Sequence, residues 1–210
     1  MTTQEIIEDI FRVYVDDSSE LSSTQELALA NRIYKKICRN RPWEFLKKEA
    51  TGTLSASVDY VALPSDFLYM AENNQSQQVN ENIDNAKVVF VGTDHRAYKI
   101  INFSDRRKYR DKDNYCYVDL TNSRLVFTKQ PSSAEAYEFD YVAMPADLTL
   151  ATSPVFPADF HDIIGYGMAS DSFIIQLFPK AQSYSTENQI KFNEGLKDLA
   201  FYNATLQVNG

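Results

Sequence analysis

Eight residues mark a change of pattern in this sequence: Arg39-Asn40-Arg41-Pro42-Trp43-Glu44-Phe45-Leu46. An amphipathic helical pattern stops there, and a region of short strand-like runs begins. Pro42 ends the helix, because proline has no N–H to donate and disfavours the helical conformation of the residue before it. Trp43, the only Trp of the chain, follows directly. The stretch therefore predicts a helix end followed by an aromatic anchor.

Two amphipathic helices are predicted before this stretch, over residues 2–15 and 23–39. In both, apolar residues recur at spacings of three and four, which places them on one face of a helix. A capping box fits the start of each helix: Thr2 with Glu5 in the first, and Ser22 with Gln25 or Ser23 with Glu26 in the second. The polar link between the helices is short, so we expect an antiparallel pair.

After residue 50 the apolar period changes to two, which is typical of β-strands. Roughly six to eight short strands are predicted up to residue 145, in an antiparallel sandwich or barrel. Residues 51–55 and 60–63 are expected to pair through a turn, as are residues 115–120 and 124–128. Residues 72–85 are rich in Asn and Gln and predict an exposed or disordered loop, with a segment ordered by a partner as the alternative.

The helical pattern returns near Pro157. Residues 160–178 are apolar on most sides and predict a buried helix, capped by Asp159 and ended by Pro179. A last helix is predicted to start at Ser185 or Thr186. We therefore predict an α+β fold with three parts: a helical bundle from the N- and C-terminal helices, residues 1–48 with 155–205; an inserted antiparallel β sandwich or barrel-like module, residues 49–150; and a tail, residues 206–210.

Two segments of the β region are alike: Tyr60-Val61-Ala62-Leu63-Pro64-Ser65-Asp66-Phe67 and Tyr141-Val142-Ala143-Met144-Pro145-Ala146-Asp147-Leu148. Each predicts a strand that ends at proline and is followed by a turn. We expect them to form two equivalent edge strands of the β module.

Composition and charge exclude several classes of function. The net charge of −8 argues against sequence-independent binding to duplex DNA, which needs a basic face. The low count of six Gly disfavours a nucleotide-binding fold built on glycine loops. Cys38 and Cys116 lie far apart without a CxxC pattern, and predict buried thiols in a reducing compartment. No run of residues fits a signal peptide or a membrane-spanning helix, which needs about 20 apolar residues.

The sequence carries no catalytic or metal-binding pattern, and we predict neither an enzyme nor a cofactor. His95 and His161 lack convergent partners at ligand spacing, so structural or surface roles are favoured. A carboxylate site of Asp59 with Asp66 rests on nearness in sequence alone. Aspartates dilute the one candidate for phosphate contact, so a solvated turn or an intersubunit salt-bridge site is favoured there. That candidate is the basic run Arg106-Arg107-Lys108-Tyr109-Arg110.

The supply of aromatic residues is rich, with 13 Tyr and 13 Phe. Protein interfaces are enriched in aromatic residues and Arg. Arg39, Arg41 and Trp43 therefore have an interface interpretation beside a structural one. In the structural interpretation Trp43 belongs to the core, and Arg41 forms an ion pair within or between subunits.

The order of these features resembles the head–tail adaptor proteins of tailed bacteriophages, also called connector, neck or head-completion proteins. The paired N-terminal helices ending at residues 39–46 and the segments at 60–67 and 141–148 carry the resemblance. So does the segment that opens the C-terminal helix: Phe156-Pro157-Ala158-Asp159-Phe160-His161-Asp162-Ile163-Ile164-Gly165-Tyr166-Gly167-Met168-Ala169. The resemblance covers roughly residues 1–205, with these features in the same order along the chain.

The resemblance implies a structural virion protein at the neck, assembled in the host cytoplasm. Its copies would form a ring, typically a dodecamer, that docks on the portal protein, extends the DNA channel and provides the tail attachment surface. Genomic DNA would pass through without sequence-specific contact. The helical bundle and the C-terminal segment would contact the portal, which makes six residues candidates for portal or intersubunit contact: Arg39, Arg41, Trp43, Phe201, Tyr202 and Leu206. The alternative is a β module that binds a ligand or glycan in an aromatic pocket.

Overall fold

A computed structural model describes residues 1–15, 20–71 and 87–209 of the chain. The predicted loop at residues 72–85 lies outside these ranges. The chain divides into two compact units. The helical unit combines Met1–Leu46 with Met144–Gly210, and the β unit is Lys47–Ala143. The protein thus mixes helices and strands, and both ends of the chain contribute to one unit.

The N-terminal helix, α1, changes its hydrogen-bond pattern along its length. It begins as an α-helical turn, Thr3–Glu5, continues as a π-helix, Ile6–Ile10, and ends as a 3₁₀-helix, Phe11–Tyr14. The predicted capping box holds its start, because Thr2 and Glu5 each accept a hydrogen bond from the other's backbone N–H. The helix is confirmed, although it is not a regular α-helix.

The second helix, α2, spans Ser23–Arg39 and begins with one of the two predicted capping boxes, that of Ser22 with Gln25. Glu26 points inward instead and is only 1% exposed. Its carboxylate accepts hydrogen bonds of 2.9 and 2.7 Å from the Arg12 guanidinium. A buried carboxylate requires such a partner, because leaving water costs it several kcal/mol, on the order of the pairing gain. This ion pair joins α2 to α1.

The predicted continuous helix over residues 160–178 is wrong. A 3₁₀ turn, Ala158–Phe160, leads into α3, Asp162–Ala169, and α4 starts anew as Ser172–Leu177. Asp159 lies inside the 3₁₀ turn and does not cap the helix. Asp171 breaks the helix, because its side chain accepts from the Phe173 N–H at 3.0 Å and so caps α4. Pro179 then begins the short α5, Pro179–Ser183, and α6 follows over Ser185–Asn209.

Glycines let the helices of the two chain ends pack closely within the helical unit. A Cβ atom added to Gly165 in α3 would lie 2.5 Å from Ile10 Cγ2, and one on Gly195 in α6 would lie 2.5 Å from Ile163 Cγ1. Larger residues at these points would force the neighbouring helices apart. Helix α3 therefore contacts α1, α2 and α6 at short range.

In the β unit, eight strands of the described residues form one sheet in the order β1-β8-β4-β5-β6-β7-β2, with β3 added beside β8. The pairs are antiparallel except β5 with β6. The sheet forms a nearly closed barrel-like layer around an apolar core that includes Val89, Leu125 and Phe139. The strands are β1 Lys47–Leu54, β2 Tyr60–Ala62, β3 Phe67–Met70, β4 Val88–Val91, β5 Arg96–Ile100, β6 Tyr115–Asp119, β7 Arg124–Phe127 and β8 Glu135–Ala143.

One predicted hairpin is wrong and the other is confirmed. β1 pairs along its whole length with β8, from Lys47 opposite Val142 to Leu54 opposite Glu135, while β2 pairs with β7. Residues 51–55 and 60–63 therefore do not pair with each other. β6 and β7 form the second predicted hairpin, and Ser123 supplies a turn residue with a φ of 51°.

The two alike segments are not equivalent edge strands. β2 lies at the edge of the sheet, whereas β8 lies between β1 and β4. The segments meet instead: Phe67 pairs with Ala143, and the Tyr141 hydroxyl donates to Asp66 Oδ1 at 2.9 Å. Lys48 of β1 holds the other oxygen of the same carboxylate at 2.7 Å. Asp66 thereby joins three strands, β1, β8 and β3.

Candidate partner-binding surface

The turn after α2 buries its tryptophan and exposes its arginines. Trp43 is 0% exposed, its Nε1 donates to the Ile37 carbonyl at 2.8 Å, and its ring stacks on Phe45. The Arg41 guanidinium lies 5.3 Å from the centre of the Trp43 ring and stays on the surface, as does Arg39. Neither arginine forms an ion pair with a residue that the structure describes. Trp43 therefore belongs to the core, and of the three predicted interface residues of this turn only the two arginines are exposed.

The C-terminal end of α6 exposes two aromatic rings. Phe201 is 74% exposed, and Tyr202 is 36% exposed with its ring 5.7 Å from that of Phe160. Leu206 is partly buried one turn further on. Aromatic side chains offer a partner a large apolar area at a low cost in conformational entropy. These three residues make this helix end suited to protein contact.

A hydrogen bond joins these two parts of the predicted site within the helical unit. Asn203 is buried, and its Oδ1 accepts from the Glu44 backbone N–H at 2.7 Å. The end of α6 therefore lies against the turn that carries Arg41 and Trp43. We call Arg39, Arg41, Phe201, Tyr202 and Leu206 the α6-end surface.

Sequence reasoning missed Asn203 and Phe160 as supports of this surface. A signal for Asn203 was present, since it lies four residues after the buried Leu199 and so falls on the same face of α6. A polar residue on a buried face needs a partner for its amide. The partner, a backbone N–H in the turn at residue 44, has no signature in the sequence.

The basic run of the sequence lines a groove in the β unit. The groove has a volume of about 560 Å³, and its cations are Arg106, Arg107, Arg110 and Lys129, with Asp59 and Asp111 beside them. The Arg106 guanidinium lies 3.9 Å from the Phe103 ring centre and donates to the Phe103 carbonyl at 2.8 Å. Arg107 is exposed and has no partner in the described part of the chain. We call this the basic groove.

The carboxylates Asp59 and Asp66 have different surroundings, which removes the basis of a shared catalytic site. Asp59 lines the basic groove, whereas Asp66 bonds to Lys48 and Tyr141. The hydrogen bond from Lys48 lowers the pKa of Asp66, and that from Tyr141 acts in the same direction. Burial and Asp66 together raise the pKa of the Tyr141 hydroxyl to about 12. This cluster keeps a carboxylate charged and a phenol neutral, as a structural bond requires.

The histidines and cysteines have the structural or surface roles that were predicted. His161 is buried, with Nε2 2.8 Å from the Phe156 carbonyl and Nδ1 3.0 Å from the Met1 carbonyl. His95 lies on the surface beside Glu138. Cys38 and Cys116 are buried free thiols, and burial raises the pKa of Cys38 to about 12. Among the described residues no three potential metal ligands cluster, and no helix has the length and hydropathy of a membrane span.

A second groove of the β unit tests the ligand-binding alternative. It has a volume of about 540 Å³ and is lined in part by Gly52, Phe90 and Tyr137. The Tyr137 ring covers Gly52, since a Cβ there would lie 2.6 Å from the hydroxyl, and its ring also stacks with Phe139. Phe90 is buried. The two large rings of this groove are thus engaged in packing within the β unit, and the groove lends the sugar-binding alternative little support.

Comparison with known proteins identifies the family. The model of the SU10 adaptor protein family matches residues 1–208, which includes both units. No curated protein matches the chain. The family match confirms the resemblance to phage head–tail adaptors and implies a structural component of the virion that contacts other head or tail proteins. An adaptor family of this kind implies a structural, non-enzymatic role. The chain belongs to the SU10 adaptor protein family.

Proposed function

We propose that the protein is the subunit of a homo-oligomeric ring, typically a dodecamer, that docks on the portal protein. The ring extends the DNA channel and provides the surface to which the tail attaches. The helical unit acts as a bundle at the portal side, and the β unit as the inserted module that points outward or towards the tail. The observation that carries the proposal is the α6-end surface, joined to a family match over residues 1–208.

The composition of the α6-end surface supports a protein partner. Phe201 and Tyr202 are exposed near the end of α6, and Arg39 and Arg41 are exposed at the turn that Asn203 joins to this helix end. Aromatic residues and Arg dominate the binding energy of many interfaces. The buried Trp43 ring restrains the Arg41 guanidinium through a cation–π contact. A cation that is held before binding loses less conformational entropy when a partner arrives.

The net charge supports passage of DNA without retention. With a charge of −8 per copy, a ring of many copies repels phosphate groups over the Debye length of about 8 Å at physiological salt. A channel lining that repels the backbone lets DNA slide, whereas a basic lining would bind it. This is the expected behaviour of a conduit for the genome.

Co-sedimentation with portal protein tests the proposal. Wild type is expected to pellet with portal rings and to give closed rings in negative-stain images. The double variant Arg41→Glu/Phe201→Asp is expected to lose about tenfold or more in affinity, because it removes an aromatic anchor and reverses a charge. Phe173→Asp is the matched control, since Phe173 is an aromatic residue of α4 that is 52% exposed and lies outside the α6-end surface. Failure of wild type to bind portal protein would refute the docking proposal.

A further inference from the structure

The basic groove holds more positive charge than its own aspartates neutralise. Arg106 is held in place by Phe103, and Arg107 is exposed without a described partner. Among the described residues, the ion pair of Arg110 is a long contact of 3.8 Å to the neighbouring Asp111. An exposed guanidinium group binds a carboxylate by donating two parallel N–H bonds to its two oxygens. The groove therefore has positive charge to bind a further anion, and the described residues of the same chain do not provide one.

The exposed face of α6 carries the opposite imbalance. Along this helix, Glu187 pairs with Lys191 at 2.6 Å and Gln189 bonds to Asn193 at 3.3 Å, both at a spacing of four residues. Glu194 and Asp198 continue the same spacing but are both acidic and both exposed. Like charges at this spacing destabilise a helix. Within the described part of α6, Lys197 forms an ion pair with neither of them.

We propose that the basic groove of one copy binds Glu194 and Asp198 of the neighbouring copy. The inference rests on the ring of the proposed function. A contact between two different surfaces of the same chain is head-to-tail, and its repetition gives a ring when the rotation from copy to copy closes. Most of the chain's excess of acidic residues lies in the helical unit, which makes a second copy the partner whose charge fits.

A nucleic acid fits the groove less well than a pair of carboxylates. Asp59 and Asp111 line the groove beside the arginines and would repel successive phosphates of a backbone. Two carboxylates one helical turn apart match Arg107 and Arg110, which are three residues apart.

Charge reversal on each side, and on both, tests the contact. Rings are assembled on portal protein from four forms: wild type, Arg107→Glu/Arg110→Glu, Glu194→Lys/Asp198→Lys, and the combination of all four changes. The yield of rings is counted in negative-stain images at low and high salt. Each one-sided variant is expected to need about tenfold more protein for half-maximal assembly. The combination is expected to restore assembly to within about threefold of wild type, because the ion pairs re-form with opposite polarity.

The control variant and the outcomes separate this inference from the proposed function. Lys87→Glu/Lys99→Glu makes the same change of charge at exposed positions of the β unit outside the groove, and is expected to assemble like wild type. Unimpaired assembly of Arg107→Glu/Arg110→Glu would overturn the inference and leave the ring standing. Loss of duplex DNA binding by this variant, with assembly intact, would also overturn it and make the groove a nucleic-acid site. Failure of wild type to assemble would refute the proposed function itself.

Discussion

Two buried asparagines of α6 differ in whether their side-chain amides have hydrogen-bond partners. The amide of Asn203 is buried, and its oxygen accepts the Glu44 N–H, so the side chain secures the α6-end surface. Asn188 is 0% exposed, and neither its side-chain oxygen nor its nitrogen has a partner among the described residues. An unsatisfied buried polar group costs roughly 1–3 kcal/mol. Asn188 is therefore a weak point of the helical unit.

Replacement of Asn188 by leucine is expected to stabilise the protein. Asn188→Leu removes the unpaired polar atoms and keeps the branched shape and the number of side-chain heavy atoms, and should raise the free energy of unfolding by about 1–2 kcal/mol. Urea denaturation followed by circular dichroism measures it. Asn203→Leu is the matched control and should lower the same quantity by about 1–3 kcal/mol, because it strands the Glu44 N–H. A loss of stability in Asn188→Leu would show that its amide is bonded in solution, for instance to an internal water.

At the scale of single residues, the sequence predicts the burial of some apolar side chains and not of others. The only tryptophan is a good candidate for the core, since a ring of that size is costly to leave in water. In the last helix the sequence predicts a buried apolar stripe that begins at Ile190 and continues through Phe192, Leu196 and Leu199, yet Ile190 is 50% exposed. Apolar residues occur on more than one face of this helix, so periodicity alone does not select the buried face. Close contacts such as that of Gly195 with Ile163 select it.

Individual elements are predicted well where their signals are local. Capping boxes, alternating runs and the turn before Ser123 identify the starts of helices and most of the strands. The pairing of β1 with β8 was missed because its partners are far apart in sequence, and periodicity carries no information on such pairs. The break between α3 and α4 was missed for a different reason. Its signal, Ser170-Asp171-Ser172, is a cap inside a strongly apolar run, which masked it.

Asp66 is expected to make the stability of the β unit depend on pH. Its pKa in the folded protein is lowered, chiefly by the hydrogen bond from Lys48, relative to the ordinary value of 3.8. A lowered folded pKa adds stability that is fully present above the unfolded pKa and is lost as pH falls through the folded one. Wild type should therefore exceed Asp66→Asn in stability at neutral pH. The difference should shrink as pH falls below about 5 and through 3.8.

Thermal unfolding of both proteins between about pH 2 and pH 7 measures this difference on both sides of the ordinary aspartate pKa of 3.8. The amide introduced by Asp66→Asn would keep an acceptor for Tyr141 but would lose the charge that Lys48 faces. A difference between the two proteins that stays constant across the range would show that the Lys48 contact does not persist in solution. A larger difference at acid pH would contradict the direction of the pKa shift.

For the molecule as a whole, the discontinuous helical unit is the main architectural feature. The N-terminal segment bonds to the chain just after the β unit: the Thr3 N–H donates to the Thr152 carbonyl at 2.8 Å and the Gln4 N–H to that of Leu150 at 3.0 Å. Asn31 of α2 bonds to both the N–H and the carbonyl of Leu148. Helices from both ends of the chain were expected to associate because each has an apolar face to bury.

Removal of the β unit is expected to leave the helical unit folded. Lys47 and Val142 are opposite each other in the β1–β8 ladder, so the two ends of the inserted segment are one strand spacing apart, about 5 Å. A short Gly-Ser linker in place of residues 48–141 can bridge this gap with little loss of entropy. Circular dichroism should show cooperative unfolding of a helical protein. A non-cooperative transition would show that the helical unit requires the β unit to fold.

The same pairing of Lys47 with Val142 has a consequence during translation. The apolar faces of α1 and α2 leave the ribosome first, but α3 and α6, which cover them, follow only after the whole of Lys47–Ala143. At roughly 5–20 residues per second this delay is on the order of ten seconds. When β8 pairs with β1, Val142 lies opposite Lys47, so the last strand of the β unit ends next to the residue at which the β unit began. The time needed to synthesise the β unit therefore sets how long the first two helices expose apolar surface to the host's chaperones and proteases.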